Sequence, residues 1–171
     1  SFLNLHPTLS LVTNVDREHL DTYADMADVT AAFTTFALSV PAHGTAVLCA
    51  DDPVTARIAK LGGERSLTYG FSEAADVRGG VVMREDGFPH VSGRGPAGEF
   101  EFTLGVGGEM NALNALGALA AATSLGNGTT VNVSAAMPVA AAPLLPSQSS
   151  WPVVKPLTVT DVDVVVHEPR L

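Results

Sequence analysis

Hydrophobic positions in the first part of the chain alternate between short runs typical of buried strands and spacings typical of helices. Residues 9–15 and 45–50 predict two buried strands, and residues 66–69 predict a short third strand. Between the first two strands, apolar residues recur at helical spacing over 29–40, and Pro41 is expected to end that helix.

A second helix is predicted between the second and third strands. Asp52 is placed to cap it, and Pro53 suits its first turn because a missing N–H costs nothing there. Gly62 is expected to close it. The predicted inner stripe is Val54, Ile58 and Leu61. The order strand–helix–strand–helix–strand indicates a mostly parallel sheet flanked by helices.

The pattern changes in the second half of the chain. Residues 76–84, 89–92 and 99–104 predict shorter strands between Gly- and Pro-bearing turns, which favours a small antiparallel β-meander. Residues 111–125 predict a helix that Gly126 ends. We therefore expect one α/β domain over 1–128. An irregular Ala/Pro/Ser-rich tail over 129–171 should hold at most one late strand, within 159–166.

Charge and cysteine content narrow the function classes. The net charge of −9 argues against nucleic-acid binding and against docking on anionic lipid. No apolar run is long enough to span a bilayer, and the start lacks the pattern of a signal peptide. Cys49 is the only cysteine, so no internal disulfide forms, and its apolar context predicts a buried side chain.

Four polar residues follow the first predicted strand, where an open α/β sheet usually binds its ligand. They are Asn14, Asp16, His19 and Asp21. One imidazole with oxygen ligands is compatible with magnesium or manganese. On spacing alone, a capped and hydrogen-bonded strand–helix connection is the stronger interpretation.

Several segments together resemble a known family. They are Ser1–Thr8, Val12–Asp16, His19–Tyr23, Ala50–Val54, Thr68–Ser72 with Ala75–Arg78, and Asn111–Leu116. Their order and spacing resemble the central domain of the Mur ligases, and most closely the alanine-adding ligases. Each segment is weak alone, but their combination is specific.

The resemblance implies an ATP-dependent ligase of cytoplasmic cell-wall synthesis. Such a ligase uses ATP and Mg²⁺ to phosphorylate the carboxylate of UDP-N-acetylmuramate, and the amine of L-alanine then attacks the acyl phosphate to form an amide. Phosphorylation supplies the leaving group that a carboxylate lacks, and cations neutralise the charge that develops. Both partners are expected to bind through domains that this sequence does not show.

The resemblance also assigns residues. His19 matches the family's metal-binding histidine, with Asn14 and Asp21 beside it as possible support. Asn111 and Asn114 match asparagines that contact the adenine end of ATP, and their i, i+3 spacing puts both on one side of a helix start. Without the resemblance, Asn111 would be interpreted as a helix cap and Asn114 as an exposed residue.

Two departures from the family pattern predict weak or lost activity. Met110 stands where the family has a nucleotide-contacting histidine, and Glu109 adds negative charge beside it. The phosphate-binding Gly-x-x-x-x-Gly-Lys-Ser/Thr loop and the family's alanine-binding domain are not recognisable in the sequence. We therefore expect an inactive fragment, a product with a diverged tail, or a reading-frame change after about Gly128. The rival hypothesis is a non-catalytic binding module that kept the fold.

Overall fold

The structure, a computed structural model, describes residues 2–16, 23 and 25–125 and the backbone of 165–167. The strands are β1 (Leu9–Val12), β2 (Thr45–Cys49), β3 (Ser66–Gly70), β4 (Val77–Met83), β5 (Pro89–Gly95), β6 (Gly98–Thr103) and β7 (Val165–His167). The helices are α1 (Met26–Ala37), α2 (Pro53–Gly62) and α3 (Glu109–Leu125). Short 3₁₀ turns cover Phe2–Asn4 and Gly63–Arg65.

All the described strands belong to one sheet whose spatial order is the order of the sequence. Strands β1 to β4 pair in parallel, and β4 to β7 pair antiparallel. The predicted α/β class, with a parallel sheet, flanking helices and an antiparallel meander, is therefore confirmed.

The connection between β3 and β4 is too short for an ordinary crossover between parallel strands, which needs a dozen or more residues. The short connection suffices because the first two residues of β4 pair with the last two residues of β3. The pairs are Tyr69–Val77 and Gly70–Arg78. The Asp76 carboxylate accepts hydrogen bonds from the Thr68 backbone N–H (2.9 Å) and hydroxyl (2.7 Å). These bonds fix the point where the sheet changes from parallel to antiparallel.

Helices cover both faces of the parallel strands. Ala46 and Leu48 of β2 pack in a cluster with α1 and α2, whereas Val47 and Cys49 pack in a second cluster with α3. Since β2 is buried on both faces, its sequence is a continuous apolar run rather than an alternating one.

The start of α2 is as predicted, and so are the buried Ile58 and the half-buried Val54, but Leu61 and the end of the helix are not. The Asp52 carboxylate accepts from the N–H groups of Val54 (3.0 Å) and Thr55 (2.8 Å). Leu61, predicted to face inward, is 69% exposed. The reason is that the face turned to the sheet carries Thr55, Ile58, Ala59 and Gly62.

The predicted C-terminal cap of α2 was also one residue early. Gly62 lies inside the helix, where a Cβ atom would meet the Ser66 Oγ atom at 2.0 Å. Gly63 is the residue that leaves the helical conformation, with a φ of 56°. A left-handed φ suits glycine because it has no Cβ atom to clash.

Other boundaries moved by a few residues. Strand β1 ends at Val12 rather than residue 15, and α1 ends at Ala37, before Pro41 is reached. Most of the predicted tail lies outside the described residues, and 165–167 form β7 against β6. Within the residues that the structure describes, no helix has the length and apolarity to cross a membrane.

Candidate functional site

The parallel strands β1, β2 and β3 all end at one edge of the sheet, which we call the carboxyl edge. Asn14 follows β1, Asp51 and Asp52 follow β2, and Phe71 follows β3. Open α/β sheets bind ligands at this edge because the loops there converge above the strand ends.

Helix α3 begins at the same edge. Its last residues, Thr123 and Ser124, line a cavity with Thr45 and Ser66, which open β2 and β3. The carboxyl-terminal end of α3 therefore lies at the opposite edge of the sheet, and its first turn lies at the carboxyl edge. This antiparallel orientation brings the start of α3 to the same edge as Asn14.

Asn14 is exposed directly after β1. Its side-chain oxygen accepts a hydrogen bond from the Thr13 hydroxyl at 3.0 Å. Its side-chain oxygen is suited to bind a cation, and its amide nitrogen can donate to a phosphate oxygen. Within the described part of the chain, the Thr13 hydroxyl is its one side-chain hydrogen-bond partner.

The residues predicted to hold the metal are mostly not described. His19 and Asp21 fall within 17–22, outside the described residues. Among the residues that are described, no group of three or more His, Cys, Asp or Glu side chains could hold a metal ion. The role of His19 therefore stays a prediction.

Asn111 and Asn114 are both exposed in the first turns of α3. The Asn111 amide nitrogen donates to the Gly107 carbonyl oxygen at 2.6 Å. Asn111 therefore lies inside the helix and donates to the preceding loop, so it is not the helix cap that the pattern alone suggested. This bond uses the amide nitrogen and leaves the Asn111 side-chain oxygen without a hydrogen bond among the described residues. Asn114 has no side-chain partner among the described residues, so its whole amide is available.

The two departures from the family pattern lie at the beginning of this helix. Helix α3 starts at Glu109, two residues before the predicted start. Met110 is 65% exposed, and Glu109 is exposed as well. A carboxylate suits the positive end of the helix dipole but repels an incoming phosphate.

Asp51 is a residue at this edge that the sequence prediction missed. Its two carboxylate oxygens accept from the N–H groups of Phe71 (2.7 Å) and Ser72 (2.8 Å). A Cβ atom at Gly70 would lie 2.7 Å from the Asp51 carboxylate, so only glycine allows this approach. The pair Asp51-Asp52 could have signalled it, since one carboxylate suffices for the helix cap.

A buried pair lies just beneath the edge. Burial raises the pKa of the Cys49 thiol above its ordinary 9.0 and that of the Tyr69 phenol above its ordinary 10.0. The Tyr69 hydroxyl lies beside Cys49 but has no well-formed hydrogen bond within the described part of the molecule. Both groups are fully buried and neutral at physiological pH, so they support the edge and are not available to a ligand.

A concavity of about 680 Å³ formed by the described residues lies elsewhere. It is the open outer face of the meander, where Arg78 and Arg94 stand beside Glu99 and Glu101 over a floor of glycines. Its charges balance, and it is an open sheet face rather than an enclosed pocket. We therefore place the candidate site at the carboxyl edge.

Comparisons with known proteins show which family the chain resembles and which fold it shares. The family model of the Mur ligase middle domain matches residues 1–122. The chain is 42% identical over 128 residues to the UDP-N-acetylmuramate–L-alanine ligase of Stenotrophomonas maltophilia strain R551-3, covering 74% of this chain and 27% of that protein. It is 41% identical over 127 residues to the enzyme of the same name from Paraburkholderia xenovorans, covering 73% and 27%.

Solved structures show the same fold at lower identity. MurF from Acinetobacter baumannii superposes with a TM-score of 0.61 at 21% identity, over 72% of this chain and 27% of that chain. A ligase from Neisseria meningitides that joins UDP-N-acetylmuramate to L-alanyl-γ-D-glutamyl-meso-diaminopimelate superposes with a TM-score of 0.58 at 22% identity, over 74% and 38%. The chain spans about a quarter of the length of the curated relatives it matches.

Proposed function

Because this chain belongs to the Mur ligase family through the family's middle domain, we propose that its carboxyl edge is part of an ATP and Mg²⁺ site. The observation that carries the proposal is the orientation of α3. Since α3 runs opposite to the parallel strands, Asn111 and Asn114 lie at the edge where Asn14 follows β1.

The described residues fit the base of a nucleotide better than its phosphates. The Asn114 amide and the free oxygen of Asn111 can donate to and accept from a purine edge. Phosphate binding needs positive charge, and the described start of α3 instead presents the Glu109 carboxylate. The phosphates would therefore depend on a cation and on parts of a longer protein.

A sparse metal site is consistent with magnesium. Mg²⁺ keeps several waters and usually takes only one or two protein ligands together with substrate phosphates. His19 would be the protein ligand, and Asn14 a neighbouring oxygen beside it. When bound, the metal would neutralise charge on the transferred phosphoryl group.

The whole reaction is proposed for the longer ligase to which such a domain belongs. That ligase would join L-alanine to UDP-N-acetylmuramate, as the names of the relatives indicate. Following the family resemblance, it would do so through an acyl phosphate, in cytoplasmic peptidoglycan synthesis. Residues 1–128 would be its ATP-binding central domain. Both acceptor partners would contact other parts of that protein, so the isolated chain should turn over no ATP in the presence of L-alanine.

Isothermal calorimetry with Mg-ATP tests the site, using the chain and its Met110→His, Glu109→Arg double variant. We expect weak binding by the chain and about tenfold tighter binding by the variant, because the variant regains a hydrogen bond and loses a repulsive charge. Adding Asn114→Ala to the variant should reverse that gain.

The second candidate function is a non-catalytic binding module. The exposed Met110 and Glu109 at the start of α3 favour it, since neither helps to bind a nucleotide. If the double variant binds Mg-ATP no more tightly than the parent chain, the module is the better description.

A further inference from the structure

We propose that Phe71 is a further binding residue of this site, and that its ring packs against the face of the nucleotide base. The inference rests on the proposed function, and it concerns a residue that lies outside the family-matched asparagines. Phe71 is half-buried: part of its ring packs against the core on the α3 side of the sheet, and part is open to solvent.

The position of Phe71 relative to α3 follows from the packing of its neighbour Tyr69. The Tyr69 ring lies so close to Gly117 that a Cβ atom there would be 2.8 Å from it. Phe71 directly follows β3, and two residues of extended chain carry it up to about 6.6 Å further toward the carboxyl edge. Four residues back along α3 cover about 6.0 Å and reach Leu113.

Phe71 and Leu113 therefore stand at about the same height, and both pack on the same core cluster. Asn114 is the next residue after Leu113 and is exposed. A purine whose edge is bound by Asn114 would consequently have the open part of the Phe71 ring within reach of its face.

The Phe71 backbone is held in place before any ligand arrives. The Asp51 carboxylate binds the N–H groups of Phe71 and Ser72 at 2.7 and 2.8 Å, and Gly70 permits that approach. Asp51 is thus a positioning residue that acts through Phe71. A ring fixed in this way binds a flat ligand with little loss of conformational entropy.

Amides and an aromatic ring recognise different parts of a base. The asparagines select hydrogen-bonding groups on the purine edge, whereas a ring binds any flat π-face. Phe71 should therefore strengthen binding of the base and contribute nothing to binding of the phosphates.

The test compares Mg-ATP with magnesium tripolyphosphate, which carries the phosphates without the base. Dissociation constants would be measured by NMR titration of the 171-residue chain, Phe71→Ala, Phe71→Leu and Asn114→Ala. Phe36→Leu is the matched control, because Phe36 is a half-buried phenylalanine on the opposite face of the sheet.

We expect Phe71→Ala to bind ATP about tenfold more weakly, which is the effect of losing one base–aromatic contact, and to bind tripolyphosphate unchanged. Phe71→Leu keeps the core contact and should lose part of the ATP affinity. If the Phe71→Ala variant does not fold, the Phe71→Leu variant decides the outcome. Phe36→Leu should leave both constants unchanged.

Two results would overturn the inference: unchanged ATP affinity in both Phe71 variants, or an equal loss for ATP and tripolyphosphate. The failure of the proposed function looks different. In that case the parent chain would bind ATP no better than tripolyphosphate, and Asn114→Ala would have no effect.

Discussion

Replacing Gly117 with alanine sets two opposing effects against each other in the middle of α3. Alanine in a helix interior is more stable than glycine by about 1 kcal/mol, because glycine loses more backbone freedom on folding. The new Cβ atom would, however, lie 2.8 Å from Tyr69 Cζ and 3.0 Å from its hydroxyl oxygen. Overpacking of this kind costs about 1–3 kcal/mol.

The cost of overpacking should exceed the gain in helix propensity because the Tyr69 ring has no room to move. Its side chain is fully buried between β2 and α3. We expect Gly117→Ala to lower the free energy of unfolding by about 1 kcal/mol, taking overpacking near the middle of its range. Helix α3 would also be pushed away from the sheet, which would displace Asn111 and Asn114.

Urea denaturation followed by circular dichroism measures the effect, with a double-mutant cycle through Tyr69→Leu. With leucine at position 69, Gly117→Ala should become stabilising, by up to about 1 kcal/mol. Ala118→Gly supplies the matched control, since it measures the difference in helix propensity between alanine and glycine at the position next to Gly117. A Gly117→Ala variant that is stabilised in both backgrounds, with no coupling to Tyr69, would refute the close contact.

Three further predictions concern individual contacts. Asp52→Ala should cost about 1 kcal/mol of unfolding free energy, measured by urea denaturation, because Val54 and Thr55 lose their N–H acceptor; no loss would contradict the cap. Tyr69→Phe should be neutral or stabilising by up to about 1 kcal/mol, because it removes a buried hydroxyl that has no hydrogen-bond partner among the described residues; a loss of stability would indicate a hidden hydrogen bond. Since burial raises the pKa of Cys49, its thiol stabilises the fold below about pH 9 and loses that contribution as pH rises above it. Melting temperatures from pH 7 to 10 should fall less for Cys49→Ala than for the parent chain.

The sequence predicted the features that depend on neighbouring residues. The cap by Asp52 and Pro53 involves only the next turn of chain, so its signal is local. Strand β2 was likewise marked by a nearly continuous apolar run, since both of its faces are covered. The meander was predictable because Gly- and Pro-bearing turns separate its strands.

The missed features depend on residues that are distant along the chain. Asp51 binds N–H groups 20 and 21 residues away, so the adjacent pair of carboxylates can show that one is spare for the cap but not what it binds. Leu61 fits a helical period, but the period alone does not show which of two neighbouring stripes faces the sheet. The orientation of α3 follows only from tertiary packing. It brings Asn111 to the carboxyl edge, where Asn14 also lies.

The most direct test of the central claim is to map Mg-ATP onto the ¹⁵N-labelled chain by NMR. If the carboxyl edge is a nucleotide site, the backbone amide signals of Asn14, 70–72 and 107–114 should shift and saturate at the same ATP concentration. The Asn114→Ala substitution should raise that concentration for all of them. The claim would be contradicted if the shifts clustered on the outer face of the meander around Arg78 and Arg94, or if none saturated.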